Sequence, residues 1–226
     1  EHVWDRVSGA VMTSAALTAL GSCEHLMQQT GLPEDTKLAR VESPFDASRG
    51  RFVVPDMRSN PSNPGEHTDE LIERLPFLLE ERLGTLVLFS SRRQLQEVHE
   101  ALESKFGDSL LIQGVMSKAE IIAEHRKRID SNLPSVIFGL ASFAEGVDLP
   151  GEYCEHVIIA KLPFAAPDNP IDAAHAELLE AEGRNSFMEL TVPSASLRLV
   201  QACGRLLRSE TDEGTITLLD TRIASK

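Results

Sequence analysis

Short apolar runs alternate with helix-patterned stretches along this chain, and that alternation restricts the fold more than any other feature. The runs "GAVMT", "RFVVP", "TLVLF", "SLLIQG", "SVIFG", "HVIIAKL" and "TITLLD" are rich in Val, Ile, Leu and Phe and read as strands. After "TLVLF", Leu95, Val98 and Leu102 fall at i, i+3 and i+7, which puts one apolar face on a helix of about three turns. A second helix follows "LLIQG", with Ile121 and Ile122 on its apolar side and a polar tail, "EHRKRID". Strands and helices alternating at this length predict an α/β fold, a mostly parallel sheet covered on both faces. Its connections should be right-handed crossovers.

A chain of 226 residues, 42% apolar, suffices for one large domain or two small ones. "DMRSNPSNPGEHTDE", dense in Pro, Asn, Ser and Gly, reads as a surface loop between a strand and a helix. "LARVESPFDASRG" has no clear periodicity and reads as a linker. Residues 1–40 are therefore expected to be the tail of a preceding domain, and 41–226 a nearly complete α/β domain. Strand-like segments that reach almost to both chain ends suggest a piece of a longer protein.

No run approaches the roughly 18 apolar residues of a membrane span, and "EHVWDRVSGA" lacks the order of a signal peptide. These features point to the cytoplasm and away from a membrane partner. Cys23, Cys154 and Cys203 stand far apart, so no disulfide framework or metal cage is read; they are expected to be buried small hydrophobes. A net charge of −13 argues against non-specific coating of nucleic acid, although a local basic strip can still hold a phosphate backbone.

The stretch "PSASLRLVQACGRLLRS" raises the sharpest question. Ser194 is placed to cap a helix after Pro193, and Leu199, Cys203, Leu206 and Leu207 then share one face. Arg198, Gln201, Arg205 and Arg208 repeat at intervals of three, four and three and share the other. One amide and three guanidiniums in a row suit a multi-oxygen anion such as a polyphosphate. The rival reading is a solvated helix face.

Two further stretches have the same double reading. "SVIFGLASFAEGVDLPG" is a buried strand delivering a loop with Ser142, Glu145, Gly146 and Asp148, closed by Gly151. In an open parallel sheet such a loop lies outside the carboxyl ends of the strands, where ligands bind, and its carboxylates suit a ribose hydroxyl or a metal-bound water. It can equally be a plain strand-to-helix connection. "LVLFSSRRQLQEV" feeds a helix through Ser90, Ser91, Arg92 and Arg93, either a phosphate-binding helix start or simple capping. His125, Arg126, Lys127 and Arg128 are read as a solvated face.

Taken in order, these motifs resemble the second motor domain of superfamily 2 DNA helicases. "VMTSAAL" resembles motif III, "LVLFSSRR" motif IV, "SFAEGVDLPG" motif V and "QACGRLLR" motif VI. The wording of "SPF", "LLIQG", "HVIIAKLPF" and "ITLLDTRI" is similar to the DinG family and its YoaA-type members, relatives of XPD. The resemblance implies a RecA-like three-layer domain, the C-terminal half of an ATP-driven motor moving 5′ to 3′ on single-stranded DNA. It implies that residues 1–40 are the end of the first motor domain, the other partner.

By the same resemblance, Arg205 and Arg208 would reach the ATP phosphates, Arg208 as the arginine finger, while Gln201 couples the halves. Glu145, Gly146 and Asp148 would line the nucleotide side, and Ser90, Ser91, Arg92 and Ser142 would contact the DNA backbone. The chain lacks a G-x-x-x-x-G-K-[ST] loop and an Asp-Glu-Ala-His box, so the ligands of a magnesium ion, and any iron–sulfur cluster, are assigned to the other half. Alone, this piece is expected not to hydrolyse ATP. Ala16 stands where the family commonly has threonine. The Asp-Glu pair of "HTDELIERL" opens a helix and is not read as a metal site. The alternative from another class is a non-catalytic docking or nucleic-acid-binding module with the same fold.

Overall fold

The computed structural model describes residues 4–14, 16–43, 45–80, 82–144, 146–164 and 170–224. In chain order the elements are α1 (Glu24–Thr30), β1 (Gly50–Val53), α2 (Pro64–Leu79), β2 (Gly84–Phe89), α3 (Arg92–Phe106), β3 (Leu110–Ile112) and α4 (Lys118–Asp130). There follow β4 (Ser135–Leu140), α5 (Ala141–Ala144), β5 (His156–Ile159), α6 (Pro170–Ala181), α7 (Val192–Cys203) and β6 (Gly214–Leu218). The chain clusters into two compact units, one of Glu1–Glu42 with Pro163–Val200 and one of Ser43–Leu162 with Gln201–Lys226.

The larger unit holds a six-stranded sheet, β1-β6-β5-β2-β4-β3, in which every pairing is parallel. β2 is buried at all six positions, which requires cover on both faces. On one face α2 and α3 lay Leu71, Leu75, Leu79, Leu95, Val98 and Leu102 over Val87, Phe89, Val136, Phe138 and Ile158. Phe89 and Phe138 meet edge to face with ring centroids 5.2 Å apart. The helical spacing of Leu95, Val98 and Leu102 is thus a core face.

Several expectations need correction. "GAVMT" forms no strand, because a strand exists only by pairing and no described residue pairs with it; Val11 is 92% exposed. The Pro/Asn-rich stretch is a loop only as far as Asn63, since Pro64 occupies the first turn of α2, where its missing N–H costs nothing. His125 is not solvated: it is fully buried, bonded through Nδ1 to Ser135 Oγ at 2.9 Å and through Nε2 to the Tyr153 carbonyl at 2.7 Å. Of the cysteines only Cys154 is buried; Cys23 and Cys203 are intermediate.

The Asp69–Glu70 pair does not open a helix, because α2 begins at Pro64 and the pair lies in its second turn, where Glu70 has a structural task. Its carboxylate accepts from Arg58 N at 3.0 Å, Ser59 N at 2.7 Å and Arg74 Nε at 2.8 Å, tying the loop to α2. Burial pushes its pKa up, but the bonds from Ser59, Arg58 and Arg74 outweigh burial and bring it to about 2.

The smaller unit contains α1, α6 and most of α7. A π-helical turn, Phe187–Thr191, runs straight into α7, so Pro193 and Ser194 lie inside a continuous helix and Ser194 is not its cap. Ser194 Oγ instead lies 3.1 Å from His25 Nε2 on α1.

Candidate functional site

α7 ends at Cys203, and Gly204 opens the turn that follows. Arg205 N bonds Ala202 O at 3.1 Å and Leu206 N bonds Cys203 O at 3.1 Å, the tightened i to i−3 pattern of a closing helix. The regular row expected for Arg198, Gln201, Arg205 and Arg208 is therefore broken: Gln201 lies exposed on the last turn, and both later arginines lie beyond the helix. Leu206, fully buried, anchors the segment, while Leu199, Cys203 and Leu207 are only partly buried.

Breaking the helix changes what the arginines can reach. Arg205 Nη1 donates to the Val147 carbonyl at 3.0 Å, and its Nε to the Gln201 carbonyl at 3.2 Å. Arg208 Nε donates to Asp148 Oδ1 at 3.1 Å. From α4, Arg126 Nη2 donates to the Asp148 carbonyl at 2.8 Å, so this side chain also departs from the solvated face read in the sequence. The guanidiniums of Arg126, Arg205 and Arg208 thus converge on Val147 and Asp148. Asp148 keeps 65% of its side chain exposed, so the cluster is open to water.

The 146–151 loop is shaped to present those two residues. Val147 and Leu149 are buried at 1% and 2%, and the side chain between them faces outward. Gly146 has φ +70° and Gly151 φ +59°, values that favour glycine. Gly151 N donates to Asp212 Oδ1 at 3.1 Å, and Asp212 Oδ2 also accepts from Arg208 N at 2.7 Å and Ser209 N at 2.8 Å. Burial pushes the Asp212 carboxyl up, but the donors from Ser209, Arg208 and Gly151 outweigh it and hold it below the usual carboxylate range. Sequence reasoning missed Asp212, although it stands four residues after Arg208.

The structure separates what the sequence grouped. Ser142 follows β4 directly, at the carboxyl ends, as expected. Asp148 lies toward the amino ends: Gly151 is bonded to Asp212, two residues before β6, and Glu155 N bonds Gly84 O at the start of β2. A Cβ on Gly214 would stand 2.2 Å from the Glu155 carbonyl oxygen, so the returning segment lies hard against the first residue of β6. The expectation that the whole loop lies outside the carboxyl ends fails because its apolar residues carry it back along the sheet.

At the carboxyl ends, β2 delivers Ser90 and Ser91, and Ser91 caps α3 with Oγ 3.4 Å from Gln94 N. Arg92, the first residue of α3, is exposed, with its guanidinium over Gly114. Ser90 and Ser142 are exposed near the ends of neighbouring strands, β2 and β4. Glu145 lies outside the described residues. Among the described residues no group of three or more His, Cys, Asp or Glu converges as a metal site. No described helix is long and apolar enough to cross a membrane.

Comparison with known proteins decides the family. The model of the helicase C-terminal domain family matches residues 76–226. The chain belongs to this family. Over 99% of its length this helicase domain is 40% identical to the ATP-dependent DNA helicase DinG of Photobacterium profundum (33% of that protein) and 34% identical to that of Escherichia coli K12 (32% of that protein). The chain thus spans about a third of the length of these relatives. Among solved structures it resembles Xpd4 of S. tokodaii, with TM-score 0.58 and 19% identity over 85% of this chain and 39% of that one. An XPD helicase gives TM-score 0.57 and 19% identity over 78% of this chain and 32% of that one. The all-parallel sheet is the RecA-like fold of these helicases.

Proposed function

We propose that this helicase domain is the C-terminal motor half of an ATP-dependent DNA helicase that moves 5′ to 3′ on single-stranded DNA. Residues 1–40 would be the end of the N-terminal motor domain of the same polypeptide, and 41–226 the second motor domain. The observation that carries the reading is the gathering of Arg205 and Arg208 on the Val147 carbonyl and the exposed Asp148 carboxylate.

An exposed ion pair such as Arg208–Asp148 is worth about 0.2–1 kcal/mol. A polyphosphate offers several charged oxygens, and charge-assisted bonds to phosphate are roughly twice as strong as neutral ones. The arginines can therefore exchange their present partners for ATP at small cost. In this reading Arg208 is the finger that stabilises charge on the transferring phosphoryl group, Arg205 supports it, Gln201 couples the halves, and Gly146, Asp148 and Glu145 line the nucleotide side. The phosphate loop and magnesium ligands belong to the other half, so catalysis requires both.

Single-stranded DNA is assigned to the carboxyl ends, where Ser90, Ser91, Arg92 and Ser142 offer hydroxyls, a guanidinium and a helix start to phosphates. The separation of this group from Arg205 and Arg208 supports two ligands rather than one. The test is ATP hydrolysis by the full-length protein, with and without single-stranded DNA. Arg205→Ala and Arg208→Ala should abolish DNA-stimulated turnover while leaving DNA binding intact; hydrolysis equal to the parent's would refute the assignment.

A further inference from the structure

We propose that Asp212 is a positioning residue that sets Arg208 against the 146–151 loop for ATP hydrolysis, a role that rests on Arg208 facing the ATP phosphates as proposed above. Asp212 is only 5% exposed, and its carboxylate links two segments far apart in sequence. Oδ2 takes the backbone N–H of Arg208 at 2.7 Å and of Ser209 at 2.8 Å, while Oδ1 takes Gly151 N at 3.1 Å and the Ser209 hydroxyl. From outside, Arg49 holds the same turn through the carbonyls of Thr211 at 2.9 Å and Asp212 at 3.2 Å.

The need for such a clamp follows from where α7 ends. Arg208 has left the helix, so no intrahelical bond fixes its backbone N–H, and its long side chain is held by the exposed Asp148. With Asp212 in place, the Arg208 backbone and the far end of the loop bearing Val147 and Asp148 are bonded to one rigid carboxylate. A group that must meet a transferring phosphoryl needs this order, since a displacement of about 1 Å can cost about 10²-fold in rate.

Asp212→Asn keeps size and shape but has one acceptor oxygen fewer. Whichever way the amide turns, at least one backbone N–H that now meets oxygen meets an N–H instead: that of Gly151 at the Oδ1 position, or those of Arg208 and Ser209 at the Oδ2 position. The experiment uses the full-length protein and measures kcat and KM for ATP with saturating single-stranded DNA, for the parent, Asp212→Asn, Arg208→Ala and the double variant, together with thermal unfolding. Asp212→Asn should lower kcat about ten- to a hundredfold, leave KM for ATP within about twofold, and add nothing to Arg208→Ala in the double variant. Loss of folded protein, by contrast, multiplies with the loss from Arg208→Ala.

The proposal is overturned if Asp212→Asn keeps the parent's kcat, or if its loss multiplies with that of Arg208→Ala. Parent-like turnover by Arg208→Ala itself overturns the finger reading, and the role of Asp212 with it, so the two failures are told apart. Should Asp212→Asn unfold below assay temperature, Ser209→Ala removes one donor and leaves the backbone bonds. It should lower kcat severalfold at unchanged KM, and an unchanged kcat overturns the proposal.

Discussion

Arg208 reaches Asp148 Oδ1 through Nε and Nη2, each at 3.1 Å, across sixty residues of sequence. The pair joins the segment after α7 to the loop after α5 and makes Asp148 both a counter-ion for the arginine and a candidate neighbour of the nucleotide.

That double position gives Asp148→Ala a distinctive signature. Because the pair is exposed, its removal should change unfolding free energy by less than about 1 kcal/mol. Removing a carboxylate from the nucleotide side should raise KM for ATP in the full-length protein. Urea denaturation and steady-state kinetics check the two parts separately, and a large stability loss with unchanged KM would contradict the assignment.

Acid sensitivity should arise from the buried histidines. His67 and His125 have pKa values lowered from 6.5, chiefly by burial. His67 receives a bond from Gln94 Nε2 at Nδ1, 3.1 Å, and its Nε2 lies 3.0 Å from the Leu219 carbonyl, so it is held neutral with the proton on Nε2. The unfolded chain therefore binds more protons than the folded one once the pH falls below 6.5. Stability should be complete above that value, decline as pH drops below it, and level off below the folded-state pKa. Glu70 works lower, its contribution present above 4.5 and lost as pH falls through about 2. Urea midpoints between pH 8 and 5 test the histidine effect; a flat profile would refute it.

Two glycines should respond in opposite ways to alanine. At Gly214 a Cβ meets the Glu155 carbonyl oxygen at 2.2 Å and Leu206 Cδ1 at 2.8 Å, and a backbone carbonyl cannot yield. Gly214→Ala should cost about 3 kcal/mol, at the upper end of overpacking effects, or prevent folding. Gly65, in the first turn of α2, has nothing nearer than 3.9 Å, and Gly65→Ala should be neutral or stabilising by up to about 1 kcal/mol. Thermal unfolding of both variants checks the contrast.

The proposed DNA face predicts a change in salt dependence. Arg92→Ala should weaken binding of single-stranded DNA and reduce the slope of log affinity against log salt by about 0.7, one phosphate contact. Titrations at several salt concentrations measure it. An unchanged slope would remove Arg92 from the interface.

The parallel sheet was legible because its inner strands are mostly apolar, β2 and β5 being buried at every position, and the helix after β2 repeats Leu95, Val98 and Leu102 at helical spacing. "GAVMT" has the same composition, but composition reports only the capacity to be a strand, and a partner decides. His125 and Arg126 were misread because the tail "EHRKRID" is polar on average, whereas a helix buries every third or fourth residue whatever its neighbours are. The arginine site was half legible. Spacing put Gln201, Arg205 and Arg208 on one face, but Gly204 ends the helix, and Asp148, Arg126 and Asp212 reach the arginines through contacts that local periodicity does not encode.

In the proposed reading Arg205 and Arg208 complete an ATP site shared with another motor domain. Its most direct test is DNA-stimulated ATP hydrolysis by the full-length protein carrying Arg208→Ala, with folding and DNA binding monitored alongside. The expected result is a fall in kcat of about 10³-fold or more, as for other arginine fingers, with both controls unchanged. Turnover equal to the parent's would contradict it and leave the arginines as a binding face without a role in hydrolysis.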